Sequence, residues 1–109
     1  VWCIKAVNDF GGSYEFFPVE LYPGYVLPVE SRELETLRSA CERIGIPCRT
    51  APTGGGSDTN IMRGMGLPVI TLGIGYEGAH TSSESMEVGQ LEQLARLLVA
   101  LCAPSGVRS

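Results

Sequence analysis

The chain has 109 residues, 44% apolar and 18% charged, which excludes disorder and is enough for one small domain or a piece of a larger one. Twelve acids against eight bases leave a net charge of −4, with no basic stripe of the kind a nucleic-acid binder carries. The longest strongly apolar run, Leu97 to Ala103, is far short of the ~20 residues a membrane-spanning helix needs. The opening residues lack the charged segment and long apolar run of a signal peptide, and the chain starts at Val1 rather than at a methionine. A piece of a longer protein, with partners that are neither nucleic acid nor membrane, is therefore expected.

In chain order, the first ten residues read as the end of a helix that stops at Gly11-Gly12. Ser13 to Tyr22, rich in aromatic and branched residues, reads as a strand, with Pro18 confining it to an edge or a bulge. Pro23-Gly24 turns the chain, and Tyr25 to Glu30 runs extended. Ser31 is a good N-cap with Glu33 and Glu35 in the first turn. Leu34, Leu37, Cys41 and Ile44 then recur at helical spacing until Gly45 and Pro47 end the helix.

Cys48 to Thr50 reads as a short strand. Thr53 to Gly56 is a flexible loop, and Ser57 or Asp58 caps a short helix ending near Gly66. Pro68 to Leu72 reads as a buried strand and Gly73 to Ser85 as irregular chain. The last helix, Glu87 to Cys102, is expected to bury Leu91, Leu94, Leu98 and Leu101 on one stripe. Alternating helices and strands predict an α/β fold with a mixed sheet and flanking helices.

Cysteines at 3, 41, 48 and 102 form no CxxC pair and match neither a zinc knuckle nor a redox motif. Cys41 and Cys102 fall on the apolar faces of predicted helices, which suits reduced thiols in a cytosolic protein.

Three stretches could carry chemistry. Gly73-Ile-Gly75-Tyr-Glu-Gly78 is a GxGxxG after a predicted strand. A dinucleotide site needs a helix to open there and an acid about 20 residues on at a strand end. An irregular loop follows instead, and glycines that let a loop pass close to other backbone are the simpler reading. Thr53-Gly-Gly-Gly-Ser-Asp-Thr-Asn60 combines backbone freedom, a helix N-terminus and the side chains of Ser57, Thr59 and Asn60. It suits a carboxylate or phosphate, or simply a turn and an N-cap, and it is neither a P-loop nor a GxSxG elbow. Gly78-Ala-His80-Thr-Ser-Ser-Glu84 holds the only histidine, in a loop after a strand, with Glu84 near enough to orient its ring. Because a catalytic zinc takes about three protein ligands, one histidine does not supply such a site alone.

The order "LYPGY", helix, "PTGGGSDTN", "GLPVITLGIGYEGAHT" and a final amphipathic helix resembles the C-terminal part of the peptidase T-like tripeptidases, from about Phe10 to Leu101. That group belongs to a di-zinc family with carboxypeptidase G, acetylornithine deacetylase and succinyl-diaminopimelate desuccinylase. The resemblance implies that His80 is the last metal ligand of a two-zinc site and that Glu84 orients it or caps the last helix. It also implies that Gly54, Gly55, Gly56, Ser57, Asp58 and Asn60 line the pocket for a small peptide. Residues 1–25 correspond to the end of a lid or dimerisation domain, and residues 26–109 to the C-terminal segment of the catalytic domain.

Thr59 stands where such proteins usually carry alanine, and Ser83 where they often carry an acid. The first histidine, the bridging aspartate, the catalytic glutamate and the remaining metal carboxylate belong to an N-terminal half. The resemblance thus implies a cytoplasmic peptidase whose isolated C-terminal segment is inactive, and a severed sheet, with its unpaired edge and exposed apolar face, is expected to self-associate. The rival class is a non-catalytic assembly module whose glycine loop takes an anion or a peptide terminus.

Overall fold

The first helix, α1, runs Trp2–Phe10 in a computed structural model that describes residues 2–103. Val1 and residues 104–109, the outer ends of the two predicted domain spans, lie outside the described residues. Helix α1 stops as the glycine pair predicts: Gly11 adopts φ +64° and its N–H reaches back to the Val7 carbonyl at 2.9 Å. From there to Gly24 every residue is exposed, and the expected strand Ser13–Tyr22 has no ladder partner among the described residues. Aromatic and branched residues favour an extended backbone, but only a neighbouring strand turns that preference into a sheet, and Pro18 removes one donor.

Helix α2 (Arg32–Ile44) matches its predicted ends. The Ser31 hydroxyl accepts the Leu34 N–H at 3.4 Å, and Gly45 closes the helix at φ +72°. The Ile46 N–H then bonds the Cys41 carbonyl at 3.0 Å, folding the chain back over the helix end. Helix α3 (Asp58–Gly64) follows Ser57, and α4 (Val88–Cys102) follows Glu87, both as expected.

The core lies between α2 and α4. Leu34, Leu37, Ala40 and Cys41 bury against Leu97 and Ala100, with Leu27, Ile44, Ile46, Cys48, Ile70, Leu72 and Leu101 packed around them. Ala40 is wholly buried, and alanines on both helices let the backbones approach closely. The Arg43 guanidinium donates to the Ala100 carbonyl, tying the ends of the two helices together.

The buried stripe of α4 is rotated from the expected one. Leu97 and Ala100 are buried and Leu94 and Leu101 half-buried, whereas Leu91 and Leu98 are exposed. A single packing partner, α2, covers only a narrow face, so leucines on the flank of the apolar arc stay in solvent. Cys102 is exposed too, contrary to expectation, because it lies at the last turn.

The α/β class holds, with helices and a small antiparallel sheet. Strands β1 (Tyr76–Glu77) and β2 (Ser85–Met86) pair Tyr76 with Met86 and Glu77 with Ser85, the first inside the stretch read as irregular and the second at its end. Among the described residues no ladder includes Cys48–Thr50 or Pro68–Leu72. Val69, Ile70 and Leu72 are half-buried rather than buried, and Ile70 and Leu72 pack at the edge of the α2–α4 core. The radius of gyration is 20.0 Å, against about 13 Å for a closed globule of this length. The excess comes with an uncovered apolar arm, in which Trp2 is 83%, Phe10 87% and Val26 89% exposed.

Two outcomes follow from this packing. Leu97→Ala removes one of few buried anchors and is expected to cost about 2–5 kcal/mol, read as a lower urea midpoint and a loss of helical circular dichroism. Glu33 accepts a backbone N–H and pairs with Arg63 at 3.0 Å, and both interactions hold its carboxyl below the usual range. Its stabilisation is complete above the unfolded glutamate value of about 4.3 and fades as pH falls through the lowered folded value. Wild type should exceed Glu33→Gln in urea midpoint near neutrality, and the two should converge on acidification.

Candidate functional site

The glycine-rich loop is shaped by the YPGY segment that precedes α2. Gly56 lies directly under the Tyr22 ring, where a Cβ would collide with the phenol, and Gly64 sits against Pro23. Asn60 closes the loop at both ends of its amide: its Oδ1 accepts the Ser57 N–H at 3.0 Å, and its Nδ2 donates to the Pro23 carbonyl at 3.1 Å. The Gly55 N–H bonds the Thr53 hydroxyl at 3.2 Å. The Thr71 hydroxyl lies 3.4 Å from both the Ser57 and the Tyr25 hydroxyls, bridging loop and segment.

Below them, Arg63 joins the pieces. One nitrogen donates to the Glu33 carboxylate at 3.0 Å and to the Val69 carbonyl at 2.6 Å, and its guanidinium lies 5.1 Å from the centre of the Tyr25 ring. Ser57 and Asn60, expected to offer side chains to a ligand, are therefore engaged within the chain. Gly54 and Asp58 remain exposed at the mouth of the loop.

His80 lies in the turn between β1 and β2. It adopts φ +64°, a left-handed conformation that costs a branched or bulky residue on the order of 1 kcal/mol. The Glu84 carboxylate supports it, but through the backbone: Oε2 accepts the His80 N–H at 2.9 Å. That hydrogen bond is made to the backbone N–H and not to the ring. The Thr81 N–H and hydroxyl both bond the Gly78 carbonyl, at 3.1 and 2.6 Å, and the Glu84 N–H bonds the Thr81 carbonyl at 3.2 Å. This small network over-determines the turn and keeps the histidine exposed.

Among the described residues no group of three His, Cys, Asp or Glu side chains comes together. His80 can fill one coordination position as an exposed imidazole, with Glu84 fixing its backbone rather than its ring. No hydrogen bond among the described residues links this turn to the glycine loop, whose contacts run to residues 22–25 and Thr71.

After Gly78 the chain enters the turn and strand β2, and the next helix begins only at Val88. A pyrophosphate would meet no helix N-terminus there, so the GxGxxG is not a dinucleotide fingerprint. Gly75, at φ +79° against the Gln90 side chain, has the simpler role of close approach. The sequence reading missed Tyr22, Tyr25, Arg63 and Thr71. The available signal was an aromatic pair around Pro23-Gly24 and a triple glycine that must accommodate something flat.

Residues 7–103 match the model of Peptidase family M20/M25/M40. The chain is 35% identical over 97 residues to the uncharacterized protein YqjE of Bacillus subtilis (strain 168), covering 89% of this chain and 26% of that protein. It is 24% identical over 105 residues to Peptidase T of Staphylococcus saprophyticus, covering 90% of this chain and 26% of that one. Among solved structures, aminopeptidase PepT from Bacillus cereus ATCC 10987 superposes with a TM-score of 0.69 at 38% identity, over 73% of this chain and 21% of that chain. The chain thus spans about a quarter of the length of the curated relatives it matches. The peptidase T-like resemblance of its motifs is borne out at the level of sequence and of fold, and the chain belongs to Peptidase family M20/M25/M40.

Proposed function

We infer that this chain is the C-terminal segment of a peptidase T-like zinc peptidase, a cytoplasmic enzyme that hydrolyses small peptides. Residues 1–25 then close its lid or dimerisation domain, and residues 26–109 complete its catalytic domain. The observation that carries this reading is the likeness to aminopeptidase PepT, at 38% identity with a TM-score of 0.69. Metal dependence, general in the family, fits a His80 presented on an exposed, backbone-strained turn. When bound, two zincs supply an activated water and polarise the scissile carbonyl. The catalytic glutamate and the other metal donors belong to residues outside this chain.

Within the chain, His80 gives one imidazole and Glu84 holds its backbone in place. The loop Gly54-Gly55-Gly56-Ser57-Asp58, braced by Asn60, offers backbone N–H groups to the carbonyl or terminal carboxylate of a peptide. Tyr22 stacked on Gly56 sets the shape of that loop. The uncovered apolar arm favours a second reading, an assembly module that self-associates and binds an anion or a peptide terminus without catalysis.

The chain alone, with zinc and a panel of di- and tripeptides, is expected to show no turnover. Mixing it with the complementary N-terminal half should restore hydrolysis, and His80→Ala in that mixture should abolish it. Turnover by the chain alone that His80→Ala removes would sink the inactivity, and restored turnover indifferent to His80→Ala would sink the ligand assignment. Assembly without turnover in either mixture would favour the module. In the restored enzyme, Gly56→Ala expels Tyr22 and should lower kcat/KM by about 10²-fold while leaving zinc content unchanged, measured by metal analysis beside the kinetics.

A further inference from the structure

Cys41 and Cys48 are seven residues apart, separated by the stop of α2. Gly45 in the left-handed conformation and the Ile46 N–H bond to the Cys41 carbonyl turn the chain back on itself, and Pro47 stiffens the return. Cys48 therefore packs against the cluster that buries Cys41. Both are free thiols, and both line one cavity of about 390 Å³ beside Leu72 and Leu97. Cys41 is buried whereas Cys48 is half-buried, so a reagent can enter the pair only from the Cys48 side. Cys3 and Cys102 are exposed on other helices.

We propose that Cys41 and Cys48 are a thiol–disulfide modification site, closed to an intramolecular disulfide by a low-molecular-weight disulfide and reopened by the corresponding thiol. The Cys48 thiolate attacks one sulfur of the small disulfide, forming a mixed disulfide and releasing one small thiolate. The Cys41 sulfur, losing its proton to solvent, then attacks the Cys48 sulfur and releases the second small thiolate. Two protein thiols are oxidised by two electrons, and one small disulfide is reduced to two thiols. Burial and the neighbouring Cys48 push the Cys41 thiol up, so the second step is the slow one. The product would clamp the turn after α2 onto the helix and to one edge of the α2–α4 core.

The test uses the whole chain, folded, incubated with glutathione disulfide, alkylated and digested with trypsin. Cleavage after Arg38, Arg43 and Arg49 puts Cys41 in peptide 39–43 and Cys48 in peptide 44–49, with Cys3 and Cys102 in two further peptides. The linked pair 39–43 and 44–49 should exceed every other linked pair by about tenfold and form faster than in urea. Cys41→Ser should leave glutathione trapped on Cys48, and Cys48→Ser should leave Cys41 unmodified. Comparable yields of scrambled pairs, equal rates in folded chain and in urea, or wild-type Cys48 that stays glutathionylated while Cys41 remains a thiol would each overturn the proposal.

Discussion

Two alanines, Ala40 and Ala100, sit where α2 and α4 meet, and the closeness they permit underlies everything else in the molecule. With so few fully buried side chains, the contact between these helices is the principal source of tertiary stabilisation among the described residues. The turn after α2, the 69–72 segment and Leu27 all gain their order by leaning on it. It follows that the two candidate sites, the glycine loop and the histidine turn, are organised chiefly by hydrogen bonds rather than by burial.

The two candidate sites solve that problem differently. Around the glycine loop, one arginine does the joining: Arg63 connects α3 to the start of α2 through Glu33, to the chain at Val69 and to the Tyr25 ring. A planar guanidinium suits this, since its flat face can lie near the Tyr25 ring while one nitrogen serves both the carboxylate and the carbonyl. Around His80, a run of small hydroxyl residues wraps the turn in its own hydrogen bonds. The network offsets the cost of the left-handed backbone that His80 adopts within the turn.

Helices were legible from the sequence because their signals are local. Ser31 and Gly45 cap α2 as placed, and the periodicity of Leu34, Leu37 and Cys41 identifies its buried face. Sheet pairing was not legible, since a strand is defined by a neighbour that local sequence does not name. Ser13–Tyr22 has no ladder partner among the described residues, while β1 and β2 pair across a turn whose glycine and threonine signals were read as irregular. The loop Gly54–Asn60 and His80 were visible as residue types, and family resemblance tied them to one chemistry. The contacts that brace the loop were not visible, because Tyr22 and Asn60 act through partners 34 and 37 residues away in sequence.

The exposed segment between α1 and the YPGY turn also carries a colloidal consequence. Phe16, Phe17, Val19 and Leu21 form a short, exposed, β-prone run, the composition from which cross-β stacking starts. Pro18 interrupts that run, and Glu15 and Glu20 flank its apolar residues. These three residues work as gatekeepers: the proline denies a stacked neighbour one backbone donor, and the carboxylates repel in-register copies.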